Sequence, residues 1–461
     1  MTLHAANPLD AFNWTTQPQA SEFLRPIVAG FIKSCPAAAI LAQRMTDETG
    51  TRFYDWIDTI VLPVDDGIRT RLAAAGYEKY PGASGDFGVV FHQPHGIFPR
   101  IVLDENLAAA NVMIKVESVA DFASVWHLPS SNIEGEPLAR MRRLRVSSTE
   151  FNALFVVERH GYTGYEIAEP DAGRGLAMLR TLEMFRTRVR DVDDDADGYD
   201  HTNALIDRAI AEVGVHLACD LFFAAEREYW QRRNRAAQVQ KARQDKLGLG
   251  WANHDHHTYR CSRENFARLV ATWEKLGFHC RERFYAGREA GWGAQVMEQH
   301  TTGITTFNDV DLTPDELMGD FSHDGLRPQS HLGTVGLWCA LHGDSFNAAG
   351  MHHLEAQFDF ESLRAQLERD EAIKTMKPFT DYPHLRQAFT EGERWTVNPK
   401  RIDRLLAEKL ITAEQANQFR TNGAIGSHLE NLERNDGFKG FNQKGVSEII
   451  ADTDPRKHVG R

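Results

Sequence analysis

The sequence predicts an α+β protein in which paired βαβββ modules form a half-barrel in the second half, a degenerate copy occupies the first half, and helices connect them. Three observations carry this. Near the end of each half stands the same phrase, Glu158-Arg159-His160-Gly161-Tyr162-Thr163-Gly164-Tyr165 and, with a one-residue gap, Glu433-Arg434-Asn435-Asp436-Gly437-Phe438-Lys439-Gly440-Phe441. Upstream and in the same order, Asp121-Phe122-Ala123-Ser124-Val125 echoes Asp359-Phe360-Glu361-Ser362-Leu363, and Leu72-Ala73-Ala74-Ala75-Gly76-Tyr77 echoes Trp273-Glu274-Lys275-Leu276-Gly277-Phe278. Each half also reads as strand, helix and further strands, and such repetition dictates architecture. The division expected is residues 1–170 as the non-metal copy, 171–250 as a helical connector and 251–461 as the metal-binding catalytic domain.

Element by element, apolar residues at helical spacing predict helix from Ala20 to Glu48. A strand follows at Ile57–Pro63, then a helix from Gly67 to Ala75 with Gly76 as its left-handed stop. Val89–Val102 and Val112–Val116 read as further strands. The connector predicts a helix over Gly175–Arg190, an acidic loop over Asp191–Asp200, and one or two long helices from Asn203 to Lys246. In the loop, Asp193, Asp195 and Asp197 precede Gly198 as in a calcium-binding loop, but the twelfth position, which needs a bidentate Glu, is Ala204, so a solvated loop is expected. The second half repeats the module: strand at His256–Cys261, helix Ser262–Leu276 stopped by Gly277, strands at Phe284–Glu298 and Ile304–Asp309. Another module begins at Met351, has a helix at Glu361–Arg369, and ends at about Gly445.

Composition narrows the function. At 461 residues the chain exceeds one ordinary hydrophobic core, and its formal net charge of −13 argues against nucleic acid, which demands a concentrated basic surface. No apolar stretch approaches ~20 residues and no secretory signal is evident, so neither membrane insertion nor export is expected. The five scattered cysteines read as reduced thiols, which with the missing signal points to the cytoplasm. The basic run from Arg227 to Lys246 reads as a solvated or ion-paired face.

Histidines concentrate in the second half. Alternation on the strand puts His254, His256, Thr258 and Arg260 on one face and His257 and Tyr259 on the other. An imidazole that can bind a divalent metal and a guanidinium that can grip a carboxylate therefore face one cavity. His352-His353 on the matching strand of the next module, and a carboxylate beyond it, strengthen the reading. Two imidazoles and one carboxylate bound facially leave three positions open, as in non-haem Fe(II) oxygenases. Carrying the repeat registers back sets His256 opposite Asp55 or Trp56, His353 opposite Lys115 and Glu430 opposite Phe155, so the first copy should hold no such metal.

From about Phe222 to His458 the sequence resembles the 2-oxoadipate dioxygenase/decarboxylase family, relatives of the vicinal oxygen chelate superfamily. The resemblance lies in Asp255-His256-His257-Thr258-Tyr259-Arg260, in Leu341-His342-Gly343 with His352-His353-Leu354, and in His428-Leu429-Glu430-Asn431-Leu432-Glu433-Arg434. It implies that His256, His353 and Glu430 ligate Fe(II) and that Arg260 holds the substrate carboxylate. It also implies oxidation of a small 2-oxo acid by dioxygen, as from 2-oxoadipate to 2-hydroxyglutarate with release of CO2. Asn431 and His428 depart from the family's aromatic and Tyr. Glu433 competes as the carboxylate, but its counterpart Glu158 persists in the copy without the histidines and so suits a fold role. Arg288 is a candidate second anion anchor. Arg281, Glu282, Arg283 and Trp292 either line the pocket or serve surface and core, while His352 is expected on the opposite face from His353. Two alternatives stay open: a redox-neutral lyase or isomerase of glyoxalase type using Zn(II), Ni(II) or Mn(II), and a non-catalytic metal-binding protein.

Overall fold

The computed structural model describes residues 14–81, 88–149, 152–169, 171–442 and 454–458. Two eight-stranded mixed sheets carry the fold, and they have the same strand order. The first uses β1 (Ile57–Pro63), β2 (Glu78–Lys79), β3 (Val89–His92), β4 (Arg100–Asp104), β5 (Asn111–Lys115), β6 (Ile133–Glu134), β7 (Met141–Ser148) and β8 (Ala153–Arg159), ordered β2-β3-β4-β1-β5-β8-β7-β6. The second uses β9 (His254–Arg260), β10 (His279–Tyr285), β11 (Trp292–Gln299), β12 (Ile304–Asp311), β13 (His353–Gln357), β14 (Thr380–Tyr382), β15 (Leu385–Phe389) and β18 (His428–Arg434), ordered β10-β11-β12-β9-β13-β18-β15-β14. In each, the two module-opening strands pair antiparallel at the centre, β1 with β5 and β9 with β13. A two-stranded ribbon, β16 (Arg394–Trp395) with β17 (Ala424–Ile425), adds to the second half.

Helices α1 (Pro18–Ser34) and α2 (Pro36–Arg44) lead into the first sheet, which carries α3 (Ile68–Ala74) and α4 (Val119–Val125). Between the sheets run α5 (Ala172–Arg186), α6 (Asp195–Val213), α7 (Val215–Gln231) and α8 (Arg235–Asp245); the second sheet carries α9 (Phe266–Lys275), α10 (Thr334–His342), α11 (Phe360–Glu371), α12 (Pro399–Ala407) and α13 (Ala413–Asn422). The largest core joins α6 and α7 to the second sheet through Phe222, Phe223, Tyr259, Trp273 and Phe346. Among the described residues, no single helix is long and apolar enough to cross a membrane, and all five cysteines are free.

Several boundaries differ from the sequence reading, each for a local reason. Val89–Val102 is two antiparallel strands, because Pro94 interrupts the run and turns the chain. Phe284–Glu298 likewise splits into β10 and β11 around Gly287 and Gly291, both at positive φ. The acidic run is not a loop throughout: Asp194 accepts from the Ala196 amide and starts α6, whose first turn welcomes Asp195 and Asp197. The stretch from Asn203 to Lys246 spans three helices, broken at Gly214 and around Asn234, whose side chain caps α8. The expected module end near Gly445 lies outside the described residues.

The two halves share a detail that sequence periodicity does not announce. β1 and β9 each carry a β-bulge at an aspartate, Asp58 and Asp255, where the register against the partner strand slips by one. Each aspartate takes a two-pronged grip from the arginine of the repeated phrase, Arg159 on Asp58 (2.9 Å twice) and Arg434 on Asp255 (2.9 and 3.0 Å). Glu158 and Glu433 also match: one accepts from the Val119 amide at the start of α4 (2.8 Å), the other from the Phe360 amide at the start of α11 (2.9 Å).

These anchors correct the register between the halves. Ladder pairing aligns Thr59, Asn111, Met113 and Phe155 with His256, His353, Glu355 and Glu430. Phe155 therefore stands where the sequence set it, whereas Lys115 matches Gln357 rather than His353, and Thr59 replaces Asp55 or Trp56. The offsets have local causes: a 3₁₀ turn at Arg263–Asn265 lengthens the path into α9, while the Asp121 and Asp359 echoes are not equivalent, since Ser118 caps α4 where Asp359 caps α11, and the step from β13 to α11 is one residue shorter than that from β5 to α4.

Candidate metal and anion site

The site is built from the three central strands of the second sheet. β9 contributes His256, Thr258 and Arg260 to one cavity, as alternation predicts. His254 departs from that face, because the bulge at Asp255 reverses the alternation and turns it toward a different cavity. β13 contributes His353 and Glu355, β18 contributes Glu430, and Asp309 and Gln387 come from the flanking β12 and β15. Phe284, Trp292, Phe307, Phe379, Phe389 and Phe441 wall a cavity of about 50 Å³. That is far smaller than the several hundred Å³ of a drug-sized pocket and suits a small ligand.

All three proposed ligands, His256, His353 and Glu430, converge here, together with one that the sequence reading missed. Glu355 pairs across the ladders with both His256 and Glu430, and its Oε1 lies 2.8 Å from His256 Nε2 and 2.6 Å from His353 Nε2. Thr258 donates to the same oxygen at 2.8 Å. Glu430 Oε2 lies 3.6 Å from His353 Nε2, while Glu430 Oε1 accepts from Gln387 at 2.7 Å. Ligand atoms of His256, Glu355 and Glu430 all lie within 4.8 Å of one another. The signal for Glu355 was in the sequence: it stands two residues after His353, on the same face of the strand.

Each imidazole has an orienting partner. Asp255 Oδ1 lies 2.8 Å from His256 Nδ1, and Asp255 is itself fixed by Arg434 and by Gln357 (3.0 Å). A carboxylate behind an imidazole in this way sets the ring and leaves Nε2 free to ligate. His353 Nδ1 sits 2.6 Å from His352 Nδ1. His352 was expected on the opposite face but lines the same cavity, since it precedes the strand, just after Gly350 at positive φ.

Burial and charge make this cluster a candidate cation site. Burial, then the Glu355 charge, pushes Glu430 well above the usual carboxylate range. Burial works against ionisation of Glu355 too, but His256 and His353 beside it hold its carboxyl low. Burial likewise opposes charging of His256, yet Glu355 and Asp255 raise it; in His353 burial prevails and lowers it. Glu355 Oε2 is buried and has no hydrogen-bond partner. Two adjacent buried carboxyls, two imidazoles beside them and an unpartnered oxygen fit a divalent metal, whose charge would offset the cost of burying both carboxylates.

Beside the cluster, Arg260 is buried without a close anionic partner. Its nearest carboxylate is Asp309 at 3.7 Å, Nε has no hydrogen-bond partner, and its guanidinium lies over the Trp338 ring. Burial pushes Asp309 up to about 8 against the pull of Arg260, so at neutral pH it is a carboxylic acid and leaves the guanidinium charge uncancelled. Arg288 is not in the cavity: it lies exposed on the turn between β10 and β11. Glu433 is also outside, committed to the start of α11 and to Arg52 at 3.3 Å. Trp292 walls the cavity, whereas Arg281 and Glu282 pair with each other and Arg283 with Asp320.

No protein-family model matches this sequence, and no curated protein matches it. Among solved structures, the chain is similar to a glyoxalase superfamily protein from Ralstonia eutropha JMP134, with 13% identity over 59% of this chain and 99% of that one and a TM-score of 0.34. It is similar to a hydrolase from Shewanella frigidimarina NCIMB 400, with 13% identity over 48% and 97% and a TM-score of 0.33. It is similar also to a mutant of 4-hydroxymandelate synthase from Streptomyces coelicolor, with 11% identity over 87% and 98% and a TM-score of 0.26. At such scores the fold assignment rests on strand order and register.

Proposed function

We propose that this chain is a non-haem Fe(II) dioxygenase/decarboxylase of a small 2-oxo acid of the 2-oxoadipate kind, converting it with dioxygen to a 2-hydroxy acid and CO2. The observation that carries the reading is Arg260, a buried guanidinium with no close counter-ion, aimed into a small aromatic cavity beside a His–carboxylate cluster. A buried charge without a partner is costly, and a substrate carboxylate supplies the partner.

His256, His353 and Glu430 would hold the metal, with Glu355 within reach as a further carboxylate. Bound Fe(II) would supply the redox chemistry that couples dioxygen to loss of CO2. The protein's own groups do the rest. Arg260 binds and orients the acid, and the planar fork fixes its angle. Asp309, protonated near neutrality, can donate a proton at Oδ1 to an oxygen of the substrate. The ring of aromatic walls keeps water from the reacting carbons.

Glu355 favours a second reading. If both carboxylates ligate, only two positions of an octahedral metal stay open, enough for a substrate to chelate but not for dioxygen beside it; that sphere suits a redox-neutral lyase or isomerase of glyoxalase type. The test is an oxygen-electrode screen of 2-oxo acids of increasing chain length, using protein purified anaerobically and loaded with Fe(II). The proposal expects equimolar oxygen uptake and CO2 release, confined to Fe(II) and best with a dicarboxylic acid. Turnover of a keto compound without oxygen uptake, supported by Zn(II), Ni(II) or Mn(II), would replace it with the second reading.

A further inference from the structure

On the far side of β9 lies another cavity, of about 360 Å³, where the first sheet meets α7 and the start of the second sheet. Its walls include Tyr80, Leu138, Tyr162 and Trp251 with a set of charged groups. Most of those charges are already matched. Asp58 is held by Arg159 and, at 3.3 Å, by Arg100. Asp220 and Glu158 flank His160, and Glu117 pairs with Lys241.

Two cations are left over. Among the described residues, Lys115 and Arg227 have no carboxylate within 4.0 Å; the guanidinium of Arg227 lies 3.3 Å from His257 Nε2, and its Nε is buried without a hydrogen-bond partner. The comparison between the halves shows that the lysine is not a requirement of the fold. Its counterpart Gln357 is neutral and spends its amide on Asp255, whereas Asp58, the counterpart of Asp255, is saturated by arginines and leaves Lys115 facing the cavity. Burial lowers the Lys115 ammonium, as expected of a cation without a counter-ion.

We infer that this cavity is a second binding site, taking a small organic anion whose carboxylate or phosphate is held by Lys115 and Arg227 and whose apolar body packs among the aromatic walls. The site is separate from the metal cavity: the two share no lining residue, and β9 reaches this one through His254 while Thr258 and Arg260 line the other. Arg227 joins it to the metal strand through His257, the neighbour of His256.

The test is calorimetric titration of the full chain with inorganic phosphate and, separately, with glutarate, in wild type, Lys115→Gln and Arg260→Met. Lys115→Gln copies the residue already present in the other half and removes an unmatched cation, so its melting midpoint should equal or exceed that of wild type. The expected result is binding of at least one probe, weakened about tenfold or more by Lys115→Gln and retained in Arg260→Met. Preference between phosphate and glutarate identifies the head group. Binding lost in Arg260→Met but unchanged in Lys115→Gln would place the anion in the metal cavity and overturn the inference. So would failure of both probes to bind at up to about 10 mM, the range of a single weak charge contact.

Discussion

Asp255 shows how much one side chain carries. Its carboxylate orients His256, answers Arg434 and accepts from Gln357, all in a buried bulge. Replacing it with Asn keeps the shape but removes the charge that fixes the imidazole, so Asp255→Asn should weaken metal binding about 10–100-fold, read by competition with a chromogenic chelator. Unchanged affinity would mean that His256 does not ligate. Arg260→Lys retains charge without the fork, so KM for the acid should rise with metal content unchanged; identical kinetics across the acid series would remove Arg260 from substrate binding. Residue-level reading of the sequence named His256, His353, Glu430 and Arg260 through alternation and resemblance, and these four line one cavity. Glu355 did not stand out because a lone carboxylate two positions after a histidine carries no motif of its own, and Arg288 was misplaced because a charged residue near a strand end says nothing about which way the turn faces.

Among the elements, the module-opening strands and the helices after them were legible because β-branched and aromatic runs are bounded by Gly and Pro, whereas strand order and the hairpins β3–β4 and β10–β11 were not. The bulges at Asp58 and Asp255 were not, since a single slipped residue leaves the apolar pattern nearly intact while reversing His254. The end of β8 offers a test of element docking. His160 bridges Glu158 of that strand and Asp220 of α7, at 2.8 and 3.1 Å. Burial opposes its charging, but the two carboxylates raise it to about 10. Since its ordinary value is 6.5, this contribution to stability is full below about pH 6.5 and is lost as pH rises through about 10. Chemical denaturation should show that loss in wild type and a flatter profile over the same window in His160→Gln; parallel profiles would contradict the bridge.

At the level of the whole molecule, the halves are interleaved. Gly50, leading into the first sheet, lies against Leu363 of α11, and Gly248, leading into the second, lies against Phe122 of α4. Both have positive φ, and an added Cβ would meet backbone at 2.7 and 2.5 Å. Gly248→Ala should therefore destabilise the chain by about 1–3 kcal/mol, read by urea unfolding; a neutral effect would deny the close crossing. Such reciprocal packing makes the first half part of the scaffold for the second. The duplication itself was legible, whereas its register was not, because the connections differ in length between copies and the Asp121 and Asp359 echoes stand at different places in their helices. The central claim is that one copy alone keeps a metal centre, with Thr59, Asn111, Met113 and Phe155 standing where the other has His256, His353, Glu355 and Glu430. Metal analysis of the full chain, reconstituted anaerobically with Fe(II) and desalted, tests it most directly when wild type is compared with Glu430→Ala. One tightly held equivalent in the wild type and almost none in Glu430→Ala is the predicted result; two equivalents, or one that survives Glu430→Ala, would contradict it.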